Sequence, residues 1–286
     1  MSLRNPVKYP VKYYSWQDAQ APQLSDADGV IKTILKACLV TGYGSKAGAG
    51  WTALFEDAYR IVLRRPLRTG NPPDIKIENG TITGTTKRHR IVAQDNPNGL
   101  DDATELSAVN LLAHDDAAGK EWYCIVTDFA FVLCYQMGAA GRYAYEPRNH
   151  IIYVGSAKKI KDLDEEGFLL TSAYARNDGT GDYSVSGLLG SNDYTKIINT
   201  RDAKVLDKYY LSVNTAEKIN DDYFCQQIML SDRFLLPILC AVSSQFDDMQ
   251  SKIVKIDNRD MLRYVNRHIN NNGAKALYIP IDYWEL

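Results

Sequence analysis

Residues Ser25–Trp51 constrain the fold more than any other stretch of this chain. Val30, Ile31, Ile34, Leu35, Cys38 and Leu39 recur at the spacing that lines one face of a 3.6-residue period. An amphipathic helix with that face buried is the expectation. Ser25 or Asp26 can cap its first free amides, Asp28 complements the positive end of its dipole, and Gly42 stands where a left-handed C-terminal cap is wanted. The glycine-rich turn Thr41–Gly50 follows and closes on Trp51.

Around that unit the chain reads as strands. Alternating residues from Trp51 to Leu63 form a half-buried strand with a bend at Glu56-Asp57, and Ile75–Thr83 reads as a hairpin turning at Asn79-Gly80. Strands are also expected at Arg90–Ala93, Trp122–Val126, Phe129–Tyr135, Ile151–Val154, Phe168–Tyr174, Tyr209–Val213, Ile253–Ile256 and Ala276–Ile281. Ala103–Ala113 leans to helix on propensity, and the segment from Met261 to Ile269 carries a helical spacing. Pro237 breaks the most apolar run, Phe234–Val242, and argues against an unbroken helix there. Met137–Asn149 and Asn177–Asp193 read as loops. The expected class is α+β, predominantly antiparallel, with one well-defined N-terminal amphipathic helix. Residues 1–140 form an N-terminal α+β domain and 141–286 a β-rich one, or the two pack as a single unit.

Composition narrows the function classes. A formal net charge of −2 and a pI near 6.1 supply no basic excess for nucleic acid or an anionic bilayer. No apolar run approaches the roughly 20 residues that cross a membrane, and the N-terminus lacks a secretory pattern, which points to synthesis in the cytosol. Five dispersed cysteines, Cys38, Cys124, Cys134, Cys225 and Cys240, suit buried thiols rather than disulfides or zinc. Tyrosine is in surplus, 19 against 7 phenylalanines, a composition that serves either sheet positions or contact surfaces.

No motif assembles a reaction centre. Gly42-x-Gly44-x-x-Ala47 meets only the loosest dinucleotide fingerprint, and it stands after a helix and before a strand, the reverse of the required order. His89, His114, His150 and His268 share no metal-ligand spacing, and His89 lies in the small basic knot Lys87–Arg90, read as a solvated strand. Asp162–Glu166 approaches an EF-hand start but places Glu166 at the third ligand, and a strand follows. Asp221-Asp222 and Asp247-Asp248 add carboxylates, and because a glycosidase pair leaves no motif they keep a hydrolase open as a third reading. No catalytic residue, cofactor or metal is expected.

One resemblance adds to this. Val7-Lys8-Tyr9, Ala21-Pro22, Leu35–Gly44 and Gly50-Trp51, with Trp122–Asp128 and Phe131-Val132-Leu133, resemble a family of virion structural proteins from tailed bacteriophages and prophages. The similarity spans residues 7–135, with weaker echoes at Ile152–Gly155, Leu236-Pro237 and Ile281–Trp284. It implies a non-enzymatic part of a phage tail or head–tail region, made in the host bacterial cytoplasm and residing in the virion. Self-association and other virion proteins are the implied partners. Tyr9, Tyr13, Tyr14, Trp16, Tyr43, Lys46 and Trp51 are the candidate contact residues, on the aromatic arm Val7–Trp16 and the turn Gly42–Trp51. The alternative is a carbohydrate or receptor module in which Trp51 or Trp122 stacks on sugar rings.

Overall fold

The computed structural model describes residues 7–66, 70–83, 86–112, 120–137, 148–159, 167–175, 185–186, 195–199, 205–209, 211–212, 225–230, 234–243, 251–266 and 274–285. Two short strands open the chain, β1 (Lys8–Pro10) and β2 (Lys12–Ser15). Helix α1 (Val30–Lys36) follows and runs on as one π-helical turn, Ala37–Thr41. A five-stranded antiparallel meander comes next: β3 (Thr52–Glu56), β4 (Ile61–Arg64), β5 (Asp74–Thr83), β6 (Thr86–Asp95) and β7 (Thr104–Leu112).

The rest of the chain builds a larger antiparallel sheet. Its strands are β8 (Trp122–Val126), β9 (Ala130–Met137), β10 (Arg148–Lys159), β11 (Gly167–Ala175), β12 (Val185–Ser186), β13 (Thr195–Asn199), β14 (Val205–Tyr209), β15 (Leu211–Ser212), β16 (Cys225–Leu230), β17 (Phe234–Ser243), β18 (Lys252–Ile256), β19 (Arg259–Asn266) and β20 (Ala274–Pro280). The last strand, β21 (Tyr283–Glu285), pairs with β1. β2 lies beside β8, and the order continues β8-β9-β10-β11-β13-β14. At its far end β10 passes to β17, from which β20, β19 and β18 extend.

Two cores flank β8–β10. Trp122, Cys124, Val126, Phe131, Leu133, Tyr135, Ile152 and Val154 face the helix and the five-stranded sheet. Their sequence neighbours Tyr123, Ile125, Val132, Cys134, Ile151 and Tyr153 face Leu236, Ile238, Leu262, Tyr264, Leu277, Ile279 and Trp284. Side chains alternate across a strand, so burial of both faces demands the near-continuous apolar run of Glu121–Tyr135. The helix contributes Ile31, Ile34, Leu35, Cys38 and Leu39 to the first core, each fully buried. Each large aliphatic side chain so buried stabilises the fold by about 1.5–3 kcal/mol.

Several expectations are corrected. The helix starts at Val30, not near Ser25. Its cap position is Gly29, whose amide is accepted by Asn79 Oδ1 from the neighbouring sheet at 3.1 Å, and its first turn holds no acid. Gly42 has φ 76° and ψ 177°, so it is not a left-handed helical cap. The last helical carbonyls are instead met by returning amides: Ala49 N–H donates to Cys38 O and Trp51 N–H to Leu39 O. Asn79-Gly80 makes no hairpin turn, because β5 runs through it and pairs Asn79 with His89. Asn79 caps the helix from within the strand.

Within the two segments expected to be helical, Thr104–Leu112 and Met261–Asn266 are strands, in β7 and β19, while Ala113 and Ile269 lie outside the described residues. Both strands sit between paired neighbours or against buried faces, where packing overrides weak helical spacing. His89 is buried, not solvated. Pro237 lies inside β17, at the place where the ladder passes from β10 (Leu235) to β20 (Leu239) and where the pairing with β16 is irregular. A residue without an N–H is tolerated there. The division near residue 140 falls between β9 and β10, which are paired with each other from Met137↔Arg148 to Ala130↔Gly155. The loop Asn177–Asp193 lies outside the described residues except for β12.

Candidate functional site

The arm and the glycine-rich turn meet at one corner of the molecule. Pro10 cannot donate to a ladder, and the arm changes partner beside it: β1 pairs with β21, Val11 N–H donates to Asp282 O at 3.1 Å, and β2 pairs with β8. The expected surface arm therefore lies on its own protein, as strand. Tyr9, Val11 and Tyr13 alternate along it and half-bury against the second core, joined by Trp16. Tyr14, one residue out of phase, is only 1% exposed in the first core.

The turn is latched onto β2 by side chains. Gly44-Ser45 is closed by reciprocal bonds between Tyr43 and Lys46, each N–H donating to the other's carbonyl at 2.9 Å. Lys46 Nζ then donates to Tyr13 O at 2.8 Å and to Asp18 Oδ2 at 2.7 Å, and the Tyr43 hydroxyl donates to the same Asp18 oxygen at 2.7 Å. From the arm, the Tyr14 hydroxyl donates to Ala47 O and Lys12 Nζ to Gly48 O. Ser15 N–H donates to Asp18 Oδ2. Trp16 N–H bonds Trp122 O, so the backbone groups of that phase in β2 are directed to β8, while the N–H and C=O of Tyr13 and Ser15 are directed away from it. Lys46 and Asp18 thus cover the outward backbone of β2.

Burial pushes the Asp18 carboxyl up, but hydrogen bonds from Lys46, the Ser15 amide and Tyr43, with the Lys46 charge, outweigh it and hold the group below the ordinary carboxylate range. A lowered acid contributes stability above its unfolded pKa and loses it as pH falls through the folded pKa, so the latch weakens only below about pH 4. Lys46→Met is expected to return the Asp18 titration upward, read by NMR of the carboxyl carbon. An unmoved titration would show that the pair does not hold the latch.

Asp18 was not among the residues expected from sequence. Its signal is local: an acid three residues after Ser15, at the end of an extended segment, in the pattern of a turn closed by a side chain. Of the expected contact residues, Tyr13, Tyr14, Trp16, Tyr43 and Lys46 come together here. Tyr9 lies apart, beside Phe129 with ring centroids 4.8 Å apart. Trp51 is 3% exposed, its ring edge-on to Phe131 at 5.6 Å and its indole N–H on Thr127 O at 3.2 Å. Trp51 and Tyr14 belong to the core and are corrected as outward contacts. Trp122 is also buried, with its indole N–H on Pro22 O, so neither tryptophan proposed for sugar stacking is open to a ring.

The amides of Gly42, Tyr43, Lys46, Ala49 and Trp51 all donate to carbonyls of this chain. Among the described residues no group of three or more His, Cys, Asp or Glu side chains is placed to hold a metal ion. His114, His268 and the acid clusters at 162–166, 221–222 and 247–248 lie outside the described residues. Among the described residues no helix is long and apolar enough to cross a membrane. No family model, curated protein or solved structure matches the chain.

Proposed function

We propose that this chain is a non-enzymatic building part of a phage or prophage particle, in the tail or head–tail region, and works by fitting against copies of itself and other virion proteins. The observation that carries this is the half-buried aromatic row Tyr9, Tyr13 and Trp16 on an arm fixed at both ends by strand pairing. Rings held in place before contact lose little freedom on binding, and tyrosine and tryptophan supply large contact areas with a polar tip. The sequence resemblance over residues 7–135 supports the same reading.

The test is quantitative mass spectrometry of purified particles from a host carrying the element that encodes the chain. The chain is expected at a fixed copy number per particle. A Tyr13→Ser, Trp16→Ser chain is expected to fall in copy number by about tenfold, the loss of about 1.4 kcal/mol of contact energy, while keeping its far-UV spectrum. Absence of the wild-type chain from particles would end the reading.

A further inference from the structure

The two described edges of the large sheet that can be compared, β2 and β18, are finished differently. The outward backbone of β2 is covered by Lys46 and Asp18, as described above. The outer edge of β18 pairs with no described residue, and Ile253, its second residue, is 51% exposed. The phase of that edge follows from the turn. Asp257 and Asn258 both have positive φ, 49° and 63°, the two-residue type I′ connection in which the flanking residues, Ile256 and Arg259, bond each other. Ile256, Val254 and Lys252 therefore direct their backbone groups to β19, and Ile253 and Lys255 direct theirs away. The bond from Ile281 N–H to Asp260 O on the far side of β19 agrees, because Asp260 is the cross-strand partner of Lys255.

We propose that a second copy of this chain adds its own β18 to this edge, antiparallel and about a two-fold axis through Val254. That register is self-complementary. Ile253 faces Lys255 of the second copy and bonds it through the outward N–H and C=O groups on both sides of the axis, Val254 faces its equivalent, and Lys252 faces Ile256. Each lysine stem then lies over an isoleucine rather than a lysine. The Lys255 ammonium has its counter-charge within the hairpin, Asp260 Oδ1 at 2.7 Å. Lysines on an edge ordinarily discourage pairing; this register keeps them out of direct opposition. The contact is short, so association is expected at the weak end, with a dissociation constant of about 10–100 μM. Many copies held in one assembly would make such a contact sufficient.

The inference rests on the assembly reading and names the partner as the chain itself. Its test is sedimentation equilibrium of the full chain with Ile253→Pro and Lys255→Pro. Neither N–H is used within the hairpin, so proline there removes only the outward donor. The wild type is expected to dimerise, and each variant to raise the dissociation constant about tenfold or more with an unchanged melting temperature. If either proline lowers the melting temperature, Ile253→Lys gives the same readout by setting lysine opposite lysine. A wild type still monomeric at about 500 μM, or dimers untouched by these changes, would overturn the proposal. A chain that enters particles but dimerises without β18 ends this inference alone, whereas a chain absent from particles ends the assembly reading.

Discussion

A Trp51→Ala chain is expected to lose about 3–5 kcal/mol of folding stability, seen as a large fall in the urea midpoint. The indole is almost wholly enclosed between the end of the helix and β9, its edge-on contact with Phe131 is lost, and the Thr127 carbonyl is left without its donor. A single domain is stable by only about 5–15 kcal/mol, so this one ring carries a substantial fraction. Trp51→Phe keeps most of the volume and should cost much less. The prediction separates two roles for a residue that sequence alone placed at a contact surface. An unchanged midpoint combined with lost incorporation into particles would return Trp51 to the surface.

The second large effect is expected at Gly155. Its φ of 143° lies outside the range side chains adopt readily, and a Cβ there would stand 2.2 Å from Ala130 Cβ and 2.5 Å from Phe129 O. Gly155 is paired directly with Ala130 on one side and Leu169 on the other, so β10 cannot move aside without breaking a ladder. Gly155→Ala is expected to cost about 2–4 kcal/mol, combining backbone strain and overpacking. Adding Ala130→Gly should recover only a small part of it, because the contact with Ala130 Cβ is removed while those with Ala130 Cα at 2.4 Å and Phe129 O at 2.5 Å, and the φ strain, persist. A double-mutant cycle on thermal or urea unfolding measures that coupling, and strict additivity would show that the two sites do not press on each other.

What could be read from the amino acids follows the range of the forces involved. The buried face of Val30–Leu39 was legible because it repeats with a period, and Trp122–Tyr135 because its length and apolarity suit strands covered on both faces. The antiparallel class was legible from many alternating segments. The errors arise where a distant partner decides. Asn79-Gly80 has the composition of a turn, yet Asn79 is occupied by the amide of Gly29, 50 positions away in sequence. Met261–Tyr264 has helical spacing, but pairing with β18 and β20 fixes it as strand. At the candidate site the turn residues Tyr43 and Lys46 stood out, whereas Asp18, which joins them, did not, since nothing near Asp18 in sequence shows that Lys46 will reach it.

The pairing of Tyr9 with Trp284 carries a consequence for how the protein is made. β1 finds its neighbour only after β2–β20 have been synthesised. Closure of so long a loop is slow and comes late, and until then Phe129 lacks the rings of both Tyr9 and Trp284. Polypeptides that lack Tyr283–Glu285 should therefore present an uncovered aromatic seam and aggregate.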